Sequence, residues 1–157
     1  MSTDNRYNPS TQAGFFITDK WDVFDNHYAS QVIWRDAIYP TSEHAYQAGK
    51  FLETAPDIAE KVRSANSPRM AAVFANEHKE QRHPEWDSLK VSVMEEVIAT
   101  KAAQHEFIRT ILTNSGNLQI VEMNYDDEFW GWGKNQNGRN ELGKVWMRLR
   151  QQLRNVT

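Results

Sequence analysis

The chain contains no cysteine among its 157 residues, so it can form neither disulfide bonds nor thiolate metal sites. It also has no apolar run that approaches the ~18 residues of a membrane-spanning helix. The formal net charge of −3 argues against a general nucleic-acid binder but leaves room for a local phosphate site. These absences predict no membrane association. They also predict a cytoplasmic location, because reducing conditions suit a chain without disulfides.

Signatures of metal and nucleotide binding are absent as well. The five histidines include no His-Glu-x-x-His pattern, and no two of them stand four residues apart on one helix. The G-x-x-x-x-G-K-[ST] phosphate loop and the G-x-G-x-x-G dinucleotide motif do not occur. We therefore predict neither a catalytic metal nor a resident cofactor, and nothing in the sequence indicates an obligate protein partner.

The chain is long enough, and with 39% hydrophobic residues apolar enough, to bury a core as one domain. We place that domain at residues 13–157. The polar segment 1–12 lacks the basic and apolar regions of a signal peptide, and we predict that it is a short mobile arm.

Helical spacing of apolar residues dominates the domain. Ser67 and Pro68 have the composition of an N-cap followed by a first helical residue. Apolar residues then recur at helical spacing over 86–97 and 142–153, and Asn140 is the predicted N-cap of the last helix. Large rings such as Trp146 fit the buried faces of these helices.

Strand-like composition is confined to short segments. Residues 14–18 and 31–35 are predicted to pair as a small N-terminal sheet, and 118–123 is a short extended piece. The sequence thus predicts a mainly α fold with minor β, built as a single compact helical domain.

The first chemically suggestive helix begins near Thr41, a predicted N-cap, with Glu43 in its first turn. At about 100° per residue, Glu43, Gln47 and Lys50 fall within roughly 60° of one another. An amine nucleophile beside a carboxyl acid/base is what imine-forming or glycosyl-transferring chemistry requires. The plainer alternative is a solvated face with a weak charge pair.

Three segments of this chain together resemble one known family. Residues 40–51 read PTSEHAYQAGKF, residues 126–133 read DDEFWGWG, and residues 138–143 read GRNELG. In this order they resemble the YbiA-like, or NADAR (NAD- and ADP-ribose-associated), family over about residues 22–153. The chain departs from the family pattern at Trp132, where an acidic or small residue is common, which leaves the substrate's identity open.

The resemblance implies an N-glycosidase that uses Glu43 and Lys50. Members of the family hydrolyse the bond between the anomeric carbon of a phosphorylated ribose and an exocyclic nitrogen. Their substrates are small ribosylamine phosphates of riboflavin biosynthesis or ADP-ribosylated guanine in nucleic acid. On this interpretation Glu43 moves protons and Lys50 forms a Schiff base with the sugar. The rival hypothesis is a non-catalytic module that binds ADP-ribose or NAD, although a pure binder needs neither group.

Substrate contacts are predicted in two parts of the chain, residues 26–86 and residues 127–140. The candidates are Asn26, His44, Gln47, Trp86, Asp127, Trp130, Gly131 and Asn140. Trp130 and Trp132 lie on a glycine-rich segment, where we expect one ring to stack on the base and one to anchor the loop. Trp86 is a second candidate for stacking, against the alternative of packing in the core. Three residues remain open as phosphate contacts, namely Arg63, Lys134 and Arg139.

Overall fold

Six α-helices and four short strands make up the computed structural model, which describes residues 7–16 and 19–156. The strands are β1 (Gln12–Phe15), β2 (Val32–Trp34), β3 (Ala37–Tyr39) and β4 (Gln119–Glu122). The helices are α1 (Ser42–Gly49), α2 (Pro56–Arg63), α3 (Pro68–Glu77), α4 (Trp86–Gln104), α5 (Glu106–Asn114) and α6 (Glu141–Val156). Two 3-10 helices occupy Asp19–Phe24 and Lys79–Gln81. The predicted class, mainly α with minor β, is confirmed.

The described residues form two compact units. The central unit comprises residues 26–105 and holds β2, β3 and α1 to α4. The terminal unit comprises the described residues of 1–25 and 106–157 and holds β1, β4, α5 and α6.

The predicted pairing of segments 14–18 and 31–35 is wrong. Strand β1 pairs in parallel with β4, from Gln12 opposite Gln119 to Phe15 opposite Glu122. Strand β2 instead forms an antiparallel hairpin with β3, through a turn in which Arg35 and Asp36 both have positive φ. Such a two-residue turn matches the twist of a hairpin and commits β2 to the strand that follows it. The predicted extended piece at 118–123 is confirmed as β4, and residues 17–18 lie outside the described part.

The predicted N-terminal arm, residues 1–12, is described from Tyr7 onward, and residues 1–6 lie outside the described part. Tyr7 packs against the buried cluster of Val121, Met123 and Trp132. Its hydroxyl donates to the Gln12 carbonyl at 3.1 Å and accepts from the Gly14 N–H at 3.2 Å. Tyr7 is therefore packed into the terminal unit, to which residues 7–12 belong.

Helices begin directly after Thr41, Ser67 and Asn140 as predicted, and at the first two the side chain caps the helix. The Thr41 hydroxyl accepts from the His44 N–H, and the Ser67 hydroxyl accepts from the Met70 N–H. Asn140 is not the predicted side-chain cap of α6. Carbonyls of Phe129 and Trp130 instead accept from the first N–H groups of that helix, at 3.0 and 3.1 Å.

The Asn140 side chain ties α6 to β4. Its Nδ2 donates to the Ile120 carbonyl at 2.8 Å, and its Oδ1 accepts from the Glu122 N–H at 2.9 Å. The helix approaches the strand so closely that a Cβ at Gly143 would lie 2.1 Å from the Ile120 oxygen. Only glycine therefore fits at residue 143, and β4 is held against the start of α6.

Aromatic rings fill the core of the terminal unit. Phe15, Phe24 and Trp146 are fully buried, and the rings of Phe24 and Trp146 lie 4.8 Å apart. The Trp146 indole donates to the Phe24 carbonyl at 3.0 Å, so its one polar atom is satisfied. In the central unit α1 packs against α2, α3 and α4. Within the described ranges, no helix combines the length and apolar character needed to cross a membrane.

Candidate active site

The start of α1 is fixed by contacts that place Glu43 in its first turn. The Asn26 carbonyl accepts from the Glu43 N–H at 3.1 Å, and the Asn26 side-chain oxygen accepts from the Ser42 hydroxyl at 3.0 Å. Asn26 is buried, and its amide nitrogen points to the Met94 sulfur at 3.4 Å. Asn26, predicted as a substrate contact, therefore has a clear role in holding the N-terminus of α1.

His44 anchors the same turn through both of its ring nitrogens. Its Nδ1 lies 2.8 Å from the Thr41 hydroxyl, and its Nε2 lies 3.0 Å from the Ala65 carbonyl. A carbonyl only accepts, so Nε2 carries the proton and Nδ1 accepts from Thr41. Burial lowers the pKa of His44. Both ring nitrogens are occupied, and this buried imidazole orients α1 rather than offering a donor to a ligand.

Gln47 lies one turn after Glu43 and holds its carboxyl group. The Gln47 Nε2 donates to Glu43 Oε1 at 2.8 Å. The Gln47 Oε1 is buried and has no hydrogen-bond partner among the described residues. Buried acceptors are rarely left without a donor, so this oxygen is available to a ligand hydroxyl or amine.

Lys50 follows the last residue of α1 and keeps a helical backbone, with φ −61° and ψ −24°. Its carbonyl accepts from the His83 N–H at 2.7 Å, which fixes the end of the helix. Its ammonium lies 5.5 Å from the centre of the Tyr46 ring. The predicted stripe of Glu43, Gln47 and Lys50 is thus present on one helix and its C-cap.

Burial lowers the pKa of Lys50 from 10.5 to about 8. Glu43 opposes this shift because a negative charge stabilises the ammonium. Three cations act in the same direction as burial, namely Arg82, Lys79 and Lys90. The net result is an amine that loses its proton near physiological pH, which is what a nucleophilic lysine requires.

The three cations near Lys50 are functional candidates that sequence reasoning missed. Lys79 and Arg82 come from the second 3-10 helix and its end, whereas Lys90 lies in the second turn of α4. Asp87 pairs with Arg82 at 3.4 Å and with Lys90 at 3.8 Å. Segment 79–90 carried no signal of a cationic site, because its three cations are matched by Glu80, Glu85 and Asp87, and only tertiary contacts bring the cations to the end of α1.

Trp86 does not have the surface needed for the predicted stacking on a substrate. Its side chain is 2% exposed and lies 5.4 Å from the Tyr46 ring. Its remaining edge lines a pocket of about 200 Å³ together with Gly49 and Leu52, and neither Glu43 nor Lys50 lines that pocket. Trp86 therefore supports Tyr46, and Tyr46 in turn lies under the Lys50 ammonium.

The glycine-rich loop of the terminal unit is built around Asp127. One carboxylate oxygen accepts from the N–H groups of Phe129 at 3.0 Å and Trp130 at 2.8 Å. A Cβ on buried Gly131 would lie 3.0 Å from the carbonyl oxygens of Asp127 and Glu122. The turn thus requires a small residue there, and it projects the Trp130 ring, which remains partly exposed.

Trp132 anchors this loop, as predicted for one of the two rings. It is 7% exposed and packs with Val121 and Met123. Its backbone N–H donates to the Glu122 carbonyl at 2.9 Å. Trp132 therefore contributes to the core, and Trp130 is the ring of this pair with surface left for a ligand.

Two of the three open phosphate candidates are engaged elsewhere. Arg63 forms two hydrogen bonds to Glu60 and a third to the Ile38 carbonyl. Arg139 bonds Glu141 at 3.0 and 2.9 Å. Lys134 is exposed.

The ten predicted site residues divide between the two units. The central unit brings together six of them: Asn26, Glu43, His44, Gln47, Lys50 and Trp86. The terminal unit holds the other four: Asp127, Trp130, Gly131 and Asn140. Within the described residues, no group of three potential ligands is placed to hold a metal ion.

Residues 7–154 match the NADAR domain family. The chain is 34% identical to N-glycosidase YbiA of Shigella flexneri over 144 residues, which is 91% of this chain and 89% of that protein. It is also 34% identical to an N-glycosidase of Nostoc punctiforme, over 89% of this chain and 90% of the relative. A riboflavin biosynthesis protein of Vibrio vulnificus is 30% identical over 94% of this chain but only 37% of its own length. The NMR structure of Escherichia coli YbiA superposes with a TM-score of 0.82 at 31% identity, covering 96% of this chain and 89% of that one.

Proposed function

The chain belongs to the NADAR domain family, and on that basis we propose that it is an N-glycosidase. Its substrate is an N-glycoside in which the anomeric carbon of a phosphorylated ribose is bonded to an exocyclic nitrogen. Relatives that align along most of the chain are N-glycosidases by name, which supports hydrolysis of an N-glycosyl bond. The riboflavin biosynthesis relative favours a small ribosylamine phosphate, and ADP-ribosylated guanine has the same type of bond.

The observation that carries the mechanism is the lowered pKa of Lys50 beside Glu43. An amine with a pKa of about 8 is neutral in about a tenth of molecules at pH 7. That fraction is roughly 300 times larger than for a lysine of pKa 10.5. Because only the neutral amine is a nucleophile, this gain makes covalent catalysis feasible at neutral pH.

In the proposed reaction the ribose ring first opens. Glu43 donates a proton to the ring oxygen as the C–O bond breaks, and the glycosyl nitrogen forms a double bond to the anomeric carbon. The neutral Lys50 amine adds to that carbon, a proton moves from the Lys50 nitrogen to the leaving nitrogen, and the bond to the leaving nitrogen then breaks. Water then attacks the resulting Lys50 Schiff base, Glu43 accepts a proton, and the C–N bond to Lys50 breaks. The products are the free amine and the ribose phosphate, at the cost of one water molecule.

Gln47 supports this chemistry in two ways. Its amide nitrogen holds Glu43 Oε1, which directs the carboxyl group. Its unpartnered Oε1 can accept a hydrogen bond from a sugar hydroxyl. Because the Glu43 carboxyl group is already held in place, less conformational freedom is lost on reaching the reactive geometry.

We assign the substrate's phosphate to the cations near Lys50. Arg82, Lys79 and Lys90 all lower the Lys50 pKa, so they lie within electrostatic reach of the reacting amine. Guanidinium and ammonium groups are the usual partners of phosphate. In the free protein these charges raise the neutral fraction of the Lys50 amine, and in the complex they bind the anion.

The deciding experiment traps the proposed intermediate. The purified protein is incubated with a ribosylamine phosphate or with ADP-ribosylated guanine, treated with borohydride, and analysed by peptide mass spectrometry. We expect a reduced ribosyl adduct on Lys50, and no turnover by Lys50→Ala or Lys50→Arg. The arginine variant fails because guanidinium stays protonated. Lys61→Ala, which removes an exposed lysine of α2 in the same unit, is the matched control and keeps activity.

Two results would contradict the proposal. Full turnover by Lys50→Ala would exclude covalent catalysis by this amine. Tight binding of ADP-ribose or NAD, with no cleavage of either substrate by the wild-type protein, would instead establish the non-catalytic binding module.

A further inference from the structure

A pocket of about 340 Å³ lies between α5 and the C-terminal part of α6 in the terminal unit. Helix α5 contributes Arg109 and Thr113 to its lining, one turn apart. Helix α6 contributes Arg150, Leu153, Arg154 and Val156. This volume lies near the lower end of the roughly 300–1,000 Å³ typical of small-molecule sites. Three guanidinium groups line this one pocket, although the whole chain has a net charge of −3.

Arg150 is the unusual member of this lining because it is only 8% exposed. Its Nη1 donates to the Ser115 hydroxyl at 2.8 Å and to the Leu118 carbonyl at 2.9 Å. Among the described residues, the side-chain hydrogen bonds of Arg150 all come from Nη1, and no carboxylate pairs with the guanidinium. Burial and the neighbouring Arg154 both lower the pKa of Arg150. Nε and Nη2 are not fully buried, and Arg150 lines the pocket, so these two nitrogens are accessible to a ligand there.

A purely structural role accounts for only one nitrogen of Arg150. The hydrogen bonds to Ser115 and Leu118 use the two hydrogens of Nη1. Nε and Nη2 together carry three further N–H hydrogens. Arg154 is held at the same pocket by the Asn117 side chain at 3.2 Å and by the Gly116 carbonyl. Its guanidinium is therefore positioned before any ligand arrives, which favours binding of an anion.

We propose that this pocket binds a phosphate ester with an apolar or aromatic body. The phosphate accepts from Nε and Nη2 of Arg150 in the two-pronged arrangement that guanidinium favours. Arg109 and Arg154 flank the anion, and the Thr113 hydroxyl donates to it. Leu153 and Val156 contact the apolar body of the ligand.

The neighbouring surface is consistent with an anion at Arg150. A second pocket of about 280 Å³ shares Arg109 and Thr113 with the larger one. The acidic Glu106 lines this second pocket. Glu106 does not line the larger pocket. The larger pocket therefore has three cations and no carboxylate in its lining.

Binding is measured by isothermal titration calorimetry in low-salt, phosphate-free buffer with phenyl phosphate as the probe. We expect one saturable site on the wild-type chain, weaker binding of inorganic phosphate, and no binding of phenol. Arg150→Gln should abolish binding, and Arg109→Gln should weaken it about tenfold or more, as expected for loss of a charge-assisted contact. Arg148→Gln is the matched control, because it removes the same charge from an exposed position on α6 and should bind like wild type.

The proposal is overturned if wild type does not bind phenyl phosphate or if Arg148→Gln weakens binding as much as Arg109→Gln does. Unchanged binding by a folded Arg150→Gln, verified by circular dichroism, overturns it as well. If Arg150→Gln does not fold, Arg109→Gln decides, because Arg109 has no part in the contacts to Ser115 and Leu118. The calorimetric readout needs no turnover, so an inactive N-glycosidase would leave this result intact.

Discussion

The charges around Lys50 predict how the pH dependence of turnover changes when each of them is removed. Arg82, Lys79 and Lys90 lower the pKa of Lys50, and Glu43 raises it. In the wild-type protein the neutral fraction of Lys50, and with it the contribution of this amine to kcat/KM, should rise with pH and level off above pH 8, while the acid step separately requires protonated Glu43. Arg82→Gln should move this rise to higher pH, whereas Glu43→Gln should move it to lower pH.

The size of these pH shifts follows from how much each charge contributes to the pKa of Lys50. Burial is the largest cause of the lowered pKa, so removing a single cation restores only part of the ordinary value. A half-exposed charge pair is worth about 0.3–1 kcal/mol, which corresponds to about 0.2–0.7 pH unit. Arg82→Gln should therefore lower the neutral fraction of Lys50 at pH 7 by about two- to fivefold.

Measurement of kcat/KM from pH 6 to 10 gives the pH at which the Lys50 contribution increases, separately from the maximal rate. Reductive 13C-methylation of the lysines, followed by NMR titration, reports the pKa of Lys50 without any substrate. Lys61→Gln is the control, since Lys61 is not among the charges that shift Lys50. If Arg82→Gln and Glu43→Gln move the titration in the same direction, or if neither moves it, the electrostatic account of this amine is wrong.

The same pKa also predicts a stability effect of Lys50. The folded-state pKa of about 8 lies below the ordinary 10.5, so the unfolded chain binds more protons between these values and stability rises with pH there. The cost of burying the ammonium is complete below pH 8 and is at most about 3 kcal/mol before solvent screening. Lys50→Met should therefore stabilise the protein at pH 6, with a gain that shrinks as the pH approaches 10. Urea unfolding at both pH values measures this, and equal gains would contradict it.

Other substitutions distinguish residues that act in catalysis from residues that bind substrate or pack in the core. Glu43→Gln should retain substrate binding but slow turnover by roughly 10²-fold, and collapse of binding with normal turnover would make Glu43 a ligand contact. Trp130→Ala should weaken substrate affinity by about 1–3 kcal/mol with little change in melting temperature, and unfolding would show that the ring is structural. Trp132→Ala should instead lower the melting temperature, because Trp132 is buried against Val121 and Met123. Trp146→Ala should cost about 3–5 kcal/mol in urea unfolding, since it empties a fully buried site, and a smaller loss would mean that the core collapses around it.

Local patterns were sufficient for several features of this protein. The spacing of Glu43, Gln47 and Lys50 and the Thr41 cap are properties of one helical segment, and helices form largely from contacts between near neighbours. The same holds for the Ser67 cap and the mainly α class. The motifs around residues 40–51 and 126–143 also sufficed to identify the family.

Features that depend on distant partners were not predictable in this way. Strand β1 could not be assigned to β4 because more than 100 residues separate the paired positions, and composition carries no register. The role of Asn140 was missed for the same reason, since its amide bonds the backbone of β4 rather than its own helix. A polar side chain directly before a helix predicts a cap, but here the β4 backbone takes the hydrogen bonds of that side chain.

The residues alone determined which groups could act as nucleophile and acid, because an amine and a carboxyl group on one helix face follow from sequence spacing. Only the tertiary structure decided whether the amine can react near neutral pH. The pKa of Lys50 depends on burial and on cations contributed by the second 3-10 helix and α4. Desolvation and Coulomb interactions act through space, so they are set by the packing of the chain rather than by its order.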